Sequence, residues 1–392
     1  MTKNALPAPG ESLQHYVNPK PFDAQQIEKL SPAQERVYLA SQWKLIWWKF
    51  RRHRVAVASA IFLIFMYLVV LLAEIMAPYN YQARHLDHIY APPQSVRLFH
   101  EGQLIGPHVL GYDYHLNMDT LHREYTTNPD KVQPLRWFCS GESYRFWGTF
   151  ESSFHIMCPA ENGHAFLLGT DRLGRDMLSR IIHGARISLT IGLIGVAVSI
   201  VLGVFFGGLA GYMGGTVDLV IQRIIEVLQS LPSIPLWLAI AAIIPVNWSP
   251  LAVYFFITVI LGLLDWTSLA RAVRSKLLSL REEDYVLAAQ LMGAGPGRVI
   301  TRHLVPGFTS HLIAAASLSI PAMILGETAL SFLGLGLRAP ITSWGVLLND
   351  AQNINVVAIY PWLMLPVVPV ILVVLAFNFL GDGLRDAADP YK

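Results

Sequence analysis

Long apolar runs alternate with short charged stretches along this chain of 392 residues. The clearest run is "VAVASAIFLIFMYLVVLLAEI", residues 55–75, whose one charged side chain is Glu74 near the far end. A helix rises about 1.5 Å per residue, so such a run spans roughly 31 Å, the thickness of a bilayer core. The run is also too long for the apolar core of a secretory signal. The pattern therefore predicts a transmembrane helix.

Five further apolar runs have the length of a membrane span. They are residues 187–212, 219–244, 251–269, 312–335 and 360–380. The run 219–244 is the least apolar, because Arg223 and Glu226 occupy its first turns. Only 14% of the residues are charged, against about 25% in soluble proteins. The predicted fold class is an all-α polytopic membrane protein with six transmembrane helices.

The lysines and arginines indicate how these spans are oriented. Basic residues crowd the stretch before the first span: Lys44, Lys49, Arg51, Arg52 and Arg54. Others lie in the loop 270–311, and because basic loops stay in the cytoplasm, this loop and both termini are predicted to be cytoplasmic. Four arginines disagree, because they precede the second span on the predicted external side: Arg172, Arg175, Arg180 and Arg186.

The sequence divides into four predicted parts. Residues 1–54 form a cytoplasmic tail and a helix on the membrane surface that begins at Ser31, and residues 55–77 hold the first span. Residues 169–392 hold the other five spans. Residues 78–168, which we call the insertion domain, form an external region that is too long for a simple connection and too aromatic for a disordered one.

Cys139 and Cys158 are the only cysteines, and they flank an aromatic cluster of the insertion domain. In an oxidising compartment the two would form a disulfide. Two free thiols are the alternative.

The sequence lacks the common catalytic and metal-binding motifs. The Gly-Lys dipeptide of a P-loop never occurs, and neither do His-Glu-x-x-His, paired Cys-x-x-Cys or Gly-x-Ser-x-Gly patterns. We therefore predict no enzyme activity, no catalytic residue, no resident cofactor and no metal site, with a metal cluster among the scattered histidines as an open alternative. If the protein moves a solute uphill, a partner or an ion gradient must supply the energy.

Glu327 lies within the fifth predicted span, in "ILGETALSFLGLGL". A carboxylate in a bilayer is costly and normally faces a cavity or a polar partner. Two interpretations stay open. Glu327 lines a translocation path, with Met323 and Ser331 as further candidates, or it hydrogen-bonds a neighbouring helix as a structural residue.

The stretch "DYVLAAQLMGAGPGRVITRHLVPG", residues 284–307, predicts two short helices on the cytoplasmic side. The first begins near Asp284, and Gly293 ends it in the left-handed conformation that glycine favours. A turn rich in glycine follows, and a second helix begins at about Arg298 and stops before Pro306. A compact segment of this shape suits docking by another protein.

The same segment resembles the coupling motif of ABC importer permeases, Glu-Ala-Ala-x3-Gly-x9-Ile-x-Leu-Pro. The two alanines, the glycine and the proline of the motif match four residues at the same spacing: Ala288, Ala289, Gly293 and Pro306. Three residues replace the glutamate, the isoleucine and the leucine: Leu287, His303 and Val305. The two small alanines would let a partner surface approach closely.

Three other stretches are similar to the dipeptide and oligopeptide branch of these permeases, which includes peptide, nickel and opine transporters. They are "LGTDRLGRDMLSRIIHGARISL" at 168–189, "GETALSFLGLGL" in the fifth span and "GDGLRDAADP" at 381–390. The resemblance covers about 169–390 and the first span, and it does not account for the insertion domain.

The resemblance implies the fold and function of a type I ABC importer permease. The chain would be one of two non-identical permease subunits that form a pore for peptides, or for nickel complexes, glycosides or opines, in a bacterial inner membrane. A periplasmic binding protein would deliver the solute, two cytoplasmic ATPase subunits would use ATP and Mg²⁺, and no nucleic acid is implied. The ATPase would contact one set of residues: Asp284, Tyr285, Ala288, Ala289, Gly293, Arg298, His303 and Pro306.

Two other functions are kept as alternatives. A gradient-driven secondary transporter or channel would work without an ATPase, with Glu327 as a proton site. A membrane-anchored receptor would sense a ligand with the insertion domain, but it would leave residues 284–307 without a role.

Overall fold

The computed structural model describes residues 39–119, 122–161, 163–245 and 247–388. The chain divides into two units, Met1–Leu45 and Ile46–Lys392. Helix α1 covers Gln42–Arg52. The predicted start of a surface helix at Ser31 lies outside the described residues, and the position of α1 on a membrane surface stays a prediction.

Five helical stretches in the described part of the chain are long and apolar enough to cross a membrane. In chain order they are α2 (Arg54–Leu71), α4 (Met177–Met213), α7 (Pro250–Leu280), the stretch Pro296–Phe332 and the stretch Pro361–Ala388. A single turn, α3 (Ala73–Met76), follows α2. Each stretch overlaps one of the predicted spans.

The remaining predicted span, 219–244, is broken into α5 (Gly215–Ser230) and α6 (Ser233–Ala241), which meet at 86°. The break lies at Leu231, whose φ of −87° and ψ of 135° are extended. Extended backbone is the conformation that a proline imposes on the residue before it, and Pro232 follows. The bent pair brings the number of spans to six if it counts as one span.

The second half of the chain adds short helices between and beside the spans. They are α8 (Asp284–Leu291), α9 (Pro296–Arg298), a π-helical turn (Val299–Leu304), a 3-10 turn (Val305–Phe308), α10 (Thr309–Phe332), α11 (Trp344–Asn349), α12 (Ile354–Ile359), a second 3-10 turn (Pro361–Met364) and α13 (Val367–Ala388). Helix α13 begins at Val367, whereas the last span was predicted to begin at residue 360.

The insertion domain is built from β-strands, which the sequence did not predict. Strands β1 (Arg97–His100), β2 (Gln103–Leu116) and β3 (Arg123–Pro134) form an antiparallel sheet in that order, and β4 (Arg136–Phe146) and β5 (Phe150–Cys158) form a hairpin. A disulfide joins Cys139 to Cys158 across a sequence separation of 19. Closing a loop of this length stabilises a domain by about 3 kcal/mol.

The membrane-crossing helices pack around a shared core. Its fully buried members come from α4, α7, α10 and α13: Leu189, Ile191, Ile257, Leu261, Ile324 and Val373. Helices α4 and α7 approach closely at Gly262, where an added Cβ would lie 2.8 Å from the carbonyl oxygen of Gly195. Small residues at such crossings let backbones pack closely where lipid offers no hydrophobic driving force.

Candidate coupling site and buried polar clusters

The first half of the 284–307 segment is helix α8, which ends in a Schellman motif. The Ala294 amide donates to the carbonyl of Ala289 (3.0 Å), and the Gly293 amide donates to the carbonyl of Gln290 (2.9 Å). Gly293 has a φ of +83°, and no heavy atom lies within 4 Å of a Cβ added there. The backbone conformation, and not the available space, therefore requires glycine, and the predicted left-handed helix end is confirmed.

The second half of the segment ends differently from the prediction. Helix α9, the π-helical turn and the 3-10 turn lead through Pro306 directly into α10. Pro306 lies in the first turn of the 3-10 stretch, where the missing N–H leaves no hydrogen bond unmade. The predicted stop before Pro306 is therefore wrong, and the segment is continuous with the fifth span.

Buried apolar side chains fasten the segment to two spans. Val286, Val299 and Leu304 are fully buried. They share one cluster with residues of α7 and α10: Leu269, Val273, Leu277 and Leu312. Each such burial stabilises the arrangement by about 1.5–3 kcal/mol. Because packed interiors deform little, the segment and the ends of these spans form one rigid body.

The opposite side of α8 carries large exposed apolar side chains. Leu291 is 90% exposed and Met292 is 82% exposed, directly before Gly293. Tyr285 and Leu287 on the same helix are each 45% exposed. Clustered exposed apolar residues next to polar surface are typical of sites that bind other proteins.

The eight predicted contact residues do not share one surface. Ala289 is 2% exposed, and His303 is half-buried. Six are exposed: Asp284, Tyr285, Ala288, Gly293, Arg298 and Pro306. The prediction that both alanines face a partner is wrong for Ala289, because successive residues of a helix point about 100° apart. Sequence analysis also missed Leu291 and Met292, although apolar residues just before a helix-ending glycine on a polar loop were a usable signal.

Glu327 is fully buried and holds three elements together. Its Oε1 accepts hydrogen bonds from Ser331 (2.8 Å) on α10 and Ser343 (2.6 Å) before α11, and its Oε2 accepts one from Ser188 (3.1 Å) on α4. The Trp344 amide in turn donates to the hydroxyl of Ser188 (3.2 Å). A buried carboxylate with three hydroxyl donors satisfies the requirement that buried polar groups find partners.

The other two residues suggested for a translocation path are also internal. Met323 and Ser331 are each 1% exposed. Met323 packs close to α4, since a Cβ added to Gly195 would lie 3.2 Å from its sulfur. These contacts favour the structural interpretation of Glu327, because a side chain that lines a path must reach an open surface.

A second polar cluster lies at the start of α4. Arg175 pairs with Asp171 (Nε to Oδ2, 2.7 Å), and the buried Arg180 pairs with Asp171 and with Asp350 (Nη1 to Oδ2, 3.4 Å). Asp171 also accepts from the amides of Leu173 (2.8 Å) and Arg175 (2.9 Å). Asp350, just after α11, was not predicted, because nothing in the local sequence indicates that it meets residues so far away in the chain.

Arg186 forms a bidentate pair with Glu74 at the end of the first span. The distances are 2.7 Å from Nη1 to Oε1 and 2.6 Å from Nη2 to Oε2. The Arg186 Nη2 also donates to the carbonyl of Val70 (3.1 Å). Arg175, Arg180 and Arg186 are thus each paired with a carboxylate. The orientation rule counts basic residues and not net charge, so these pairs leave the conflict in place, and the predicted orientation stays a prediction.

Three histidines of the insertion domain lie close together. The ring centroids of His85 and His88 are 5.0 Å and 4.7 Å from that of His164. Burial, together with the neighbouring His164 and His85, lowers the pKa of His88 to about 4. No group of three or more His, Cys, Asp or Glu side chains within the described residues is placed to hold a metal ion.

Comparison with known protein families shows which family the chain belongs to. Residues 178–391 match the family described as binding-protein-dependent transport system inner membrane component. The chain belongs to this family. Residues 41–93 of the permease match a second family, the N-terminal TM domain of oligopeptide transport permease C. Residues 94–177, which include all five strands, lie outside both matched ranges.

Several known proteins are similar to the permease. It is 39% identical over 233 residues to the oligopeptide transport system permease protein OppC of Haemophilus influenzae, which covers 59% of the permease and 72% of the relative. It is 41% identical over 233 residues to the dipeptide transport system permease protein DppC of Bacillus subtilis, with 59% and 70% covered. It is 42% identical over 231 residues to OppC of Escherichia coli, with 59% and 73% covered.

These matches confirm the predicted family. The protein is a multi-pass membrane permease of a binding-protein-dependent ABC importer, and this family is not enzymatic. The 284–307 segment lies within the matched permease range, between α7 and α10.

Proposed function

We propose that the permease imports peptides or chemically similar small solutes, as one of two non-identical permease subunits that form a pore together. A periplasmic binding protein delivers the solute, and two ATPase subunits use ATP and Mg²⁺ to drive the transport cycle. The names of the relatives support this solute class, because they are oligopeptide and dipeptide transport permeases.

The 284–307 segment is the proposed docking site for one ATPase subunit. The observation that carries this proposal is the division of the segment into two sides. Val286 and Val299 fasten one side to the ends of α7 and α10, while Leu291 and Met292 leave an apolar surface open on the other. A partner that binds Leu291 and Met292 therefore pushes directly on two spans.

The proposed orientation places this segment and both termini in the cytoplasm, and the membrane is a bacterial inner membrane. The basic residues before α2 and in the loop 270–311 support this orientation.

The test replaces Leu291 and Met292 by alanine together. If both side chains bury in a partner, their loss costs about 1.5–3 kcal/mol each, which together weakens ATPase binding by roughly a hundredfold or more. Binding is measured by titrating the reconstituted permease pair with ATPase subunits, and transport is measured as ATP-dependent uptake of a labelled tripeptide into proteoliposomes. We expect both to fall.

Met118→Ala is the matched control, because Met118 is 76% exposed in the insertion domain. This variant should bind ATPase and import peptide like the unchanged permease. Unchanged ATPase binding by the double variant would exclude the segment as the docking site. Uptake that continues without ATP would favour the gradient-driven alternative.

A further inference from the structure

The β4–β5 hairpin of the insertion domain folds back along the chain that follows the first span. Near its open end, His155 Nδ1 bonds to the carbonyl of Ala77 (2.8 Å), and in its middle Glu142 accepts from the amide of Asn80 (3.2 Å). At its tip, the indole Nε1 of Trp147 donates to the carbonyl of Leu71 (3.0 Å). The contact at the tip is therefore the one nearest to the span.

Leu71 is the last residue of α2, so the tip of the hairpin lies at the level where the first span ends. The 18 residues of α2 reach about 27 Å, slightly less than a hydrocarbon core of about 30 Å. The end of α2 therefore lies at the boundary between hydrocarbon and headgroups. Arg186, which sits 4.2 Å from the ring centroid of Trp147 and pairs with Glu74, marks the polar side of the same boundary.

One face of the hairpin presents exposed aromatic side chains, of which Phe150 lies at the tip. Phe150 is 74% exposed and Phe154 is 46% exposed, and their even separation of four residues places them on one face of β5. Phe138, which is 72% exposed, stacks on Phe154 with ring centroids 6.4 Å apart. The alternate residue Glu151 forms an ion pair with Arg145 (3.1 Å), so the hairpin is amphipathic.

We propose that the tip of this hairpin, residues 146–150, inserts its aromatic side chains into the bilayer surface at the end of α2. The hairpin is then a second membrane anchor, and lipid is the partner of the aromatic side chains at its tip. Tryptophan and other aromatic residues are enriched at this depth, where an apolar ring and a polar N–H are both satisfied.

Continuity with the first span identifies lipid as the occupant. Helix α2 exposes a row of large apolar side chains that a membrane must cover: Ile61, Ile64, Phe65, Leu68 and Leu71. The indole N–H of Trp147 donates to the backbone carbonyl of Leu71, so the aromatic tip lies directly beside the end of this row. The disulfide between Cys139 and Cys158 and the bond from His155 to Ala77 hold the hairpin at this height.

The test attaches a spin label to Phe150→Cys in the full chain, reconstituted in nanodiscs of phosphatidylethanolamine and phosphatidylglycerol. Both native cysteines are in the disulfide, so only the new thiol reacts. Leu68→Cys on α2 is the lipid control. Leu104→Cys is the aqueous control, because Leu104 is 70% exposed. It lies near the start of β2, whereas the contact between His122 and Tyr360 lies beyond the other end of that strand.

The expected result is that the label at Phe150 collides with dissolved oxygen as the Leu68 label does and loses collisions with an aqueous nickel chelate. Collision with the chelate at the level of the Leu104 label would overturn the proposal, because the tip would then be in water. An immobilised label that neither reagent reaches would also overturn it, because a protein partner would then cover the tip.

Discussion

At the scale of single residues, Glu327 shows how hydrogen bonds offset the cost of burying a carboxylate within a bilayer. Ser188, Ser331 and Ser343 each donate one hydroxyl hydrogen bond to it, and they come from three separate elements. The sequence placed Glu327 in a span but left its role open. Two of its three partners lie far from it in the chain, so no local pattern could reveal the cluster.

Glu327→Ala should destabilise the permease more than Glu327→Gln. The alanine variant leaves three buried hydroxyls without their acceptor, at a cost of about 2 kcal/mol or more. The glutamine variant keeps a carbonyl oxygen as acceptor, and a serine hydroxyl can rotate to accept from its amide. The midpoint of thermal unfolding in detergent measures the difference. Equal midpoints for the two variants and the unchanged permease would contradict this account.

The arginines before α4 illustrate a second limit at this scale. Their sequence positions indicated a charge on the wrong side of the membrane, whereas the structure pairs Arg180 with Asp171 and Asp350 and pairs Arg186 with Glu74. Counting basic residues does not detect such pairs when the carboxylate lies in a distant loop. The buried Arg180 also shows that part of this segment is packed interior and not an ordinary loop.

At the scale of elements, helices were predictable and strands were not. The apolar runs have the length and the end signals of helices, and Gly293 ends α8 as expected. The strands lack a regular alternation, because the pairing of β2 with β3 shifts register between Leu110 and Tyr112, and the pairing of β4 with β5 shifts register between Ser140 and Tyr144. β3 also contains Asn128, Pro129 and Asp130, which are turn-forming residues.

The insertion domain should lose stability as the pH falls from about 6.5 toward about 4. Burial lowers the pKa of His88 to about 4, whereas an unfolded histidine has a pKa of about 6.5. Between these values the unfolded chain binds a proton that the folded domain does not, so protonation favours unfolding. His85 and His164 act in the same direction, because burial lowers the pKa of each.

Limited proteolysis of the insertion domain at pH 7.5 and pH 5 measures this loss. Cleavage should be faster at pH 5, and His88→Phe should show a smaller acceleration because the variant removes one of the protons taken up. The same acceleration in the variant as in the unchanged protein would exclude His88 as a source of the pH dependence.

At the scale of the whole molecule, the proposed transport cycle depends on a direct connection between the docking surface and the spans. The 284–307 segment continues into α10 without a flexible loop, and its buried valines pack on α7. The bend of 86° between α5 and α6 lies elsewhere, at Pro232. The sequence predicted six spans, but it did not predict this continuity, since it depends on tertiary packing.

The central claim is that the 284–307 segment couples the ATPase to the spans. Gly293→Pro tests this claim most directly. Proline requires a φ near −65° and lacks the N–H that Gly293 donates to Gln290, whereas Gly293 has a φ of +83°. Gly295→Pro is the matched control, because the φ of Gly295 is −71°. ATP hydrolysis and peptide uptake are measured on the same proteoliposomes. We predict that Gly293→Pro assembles and hydrolyses ATP but loses uptake while Gly295→Pro retains both, and normal uptake by Gly293→Pro would contradict the account.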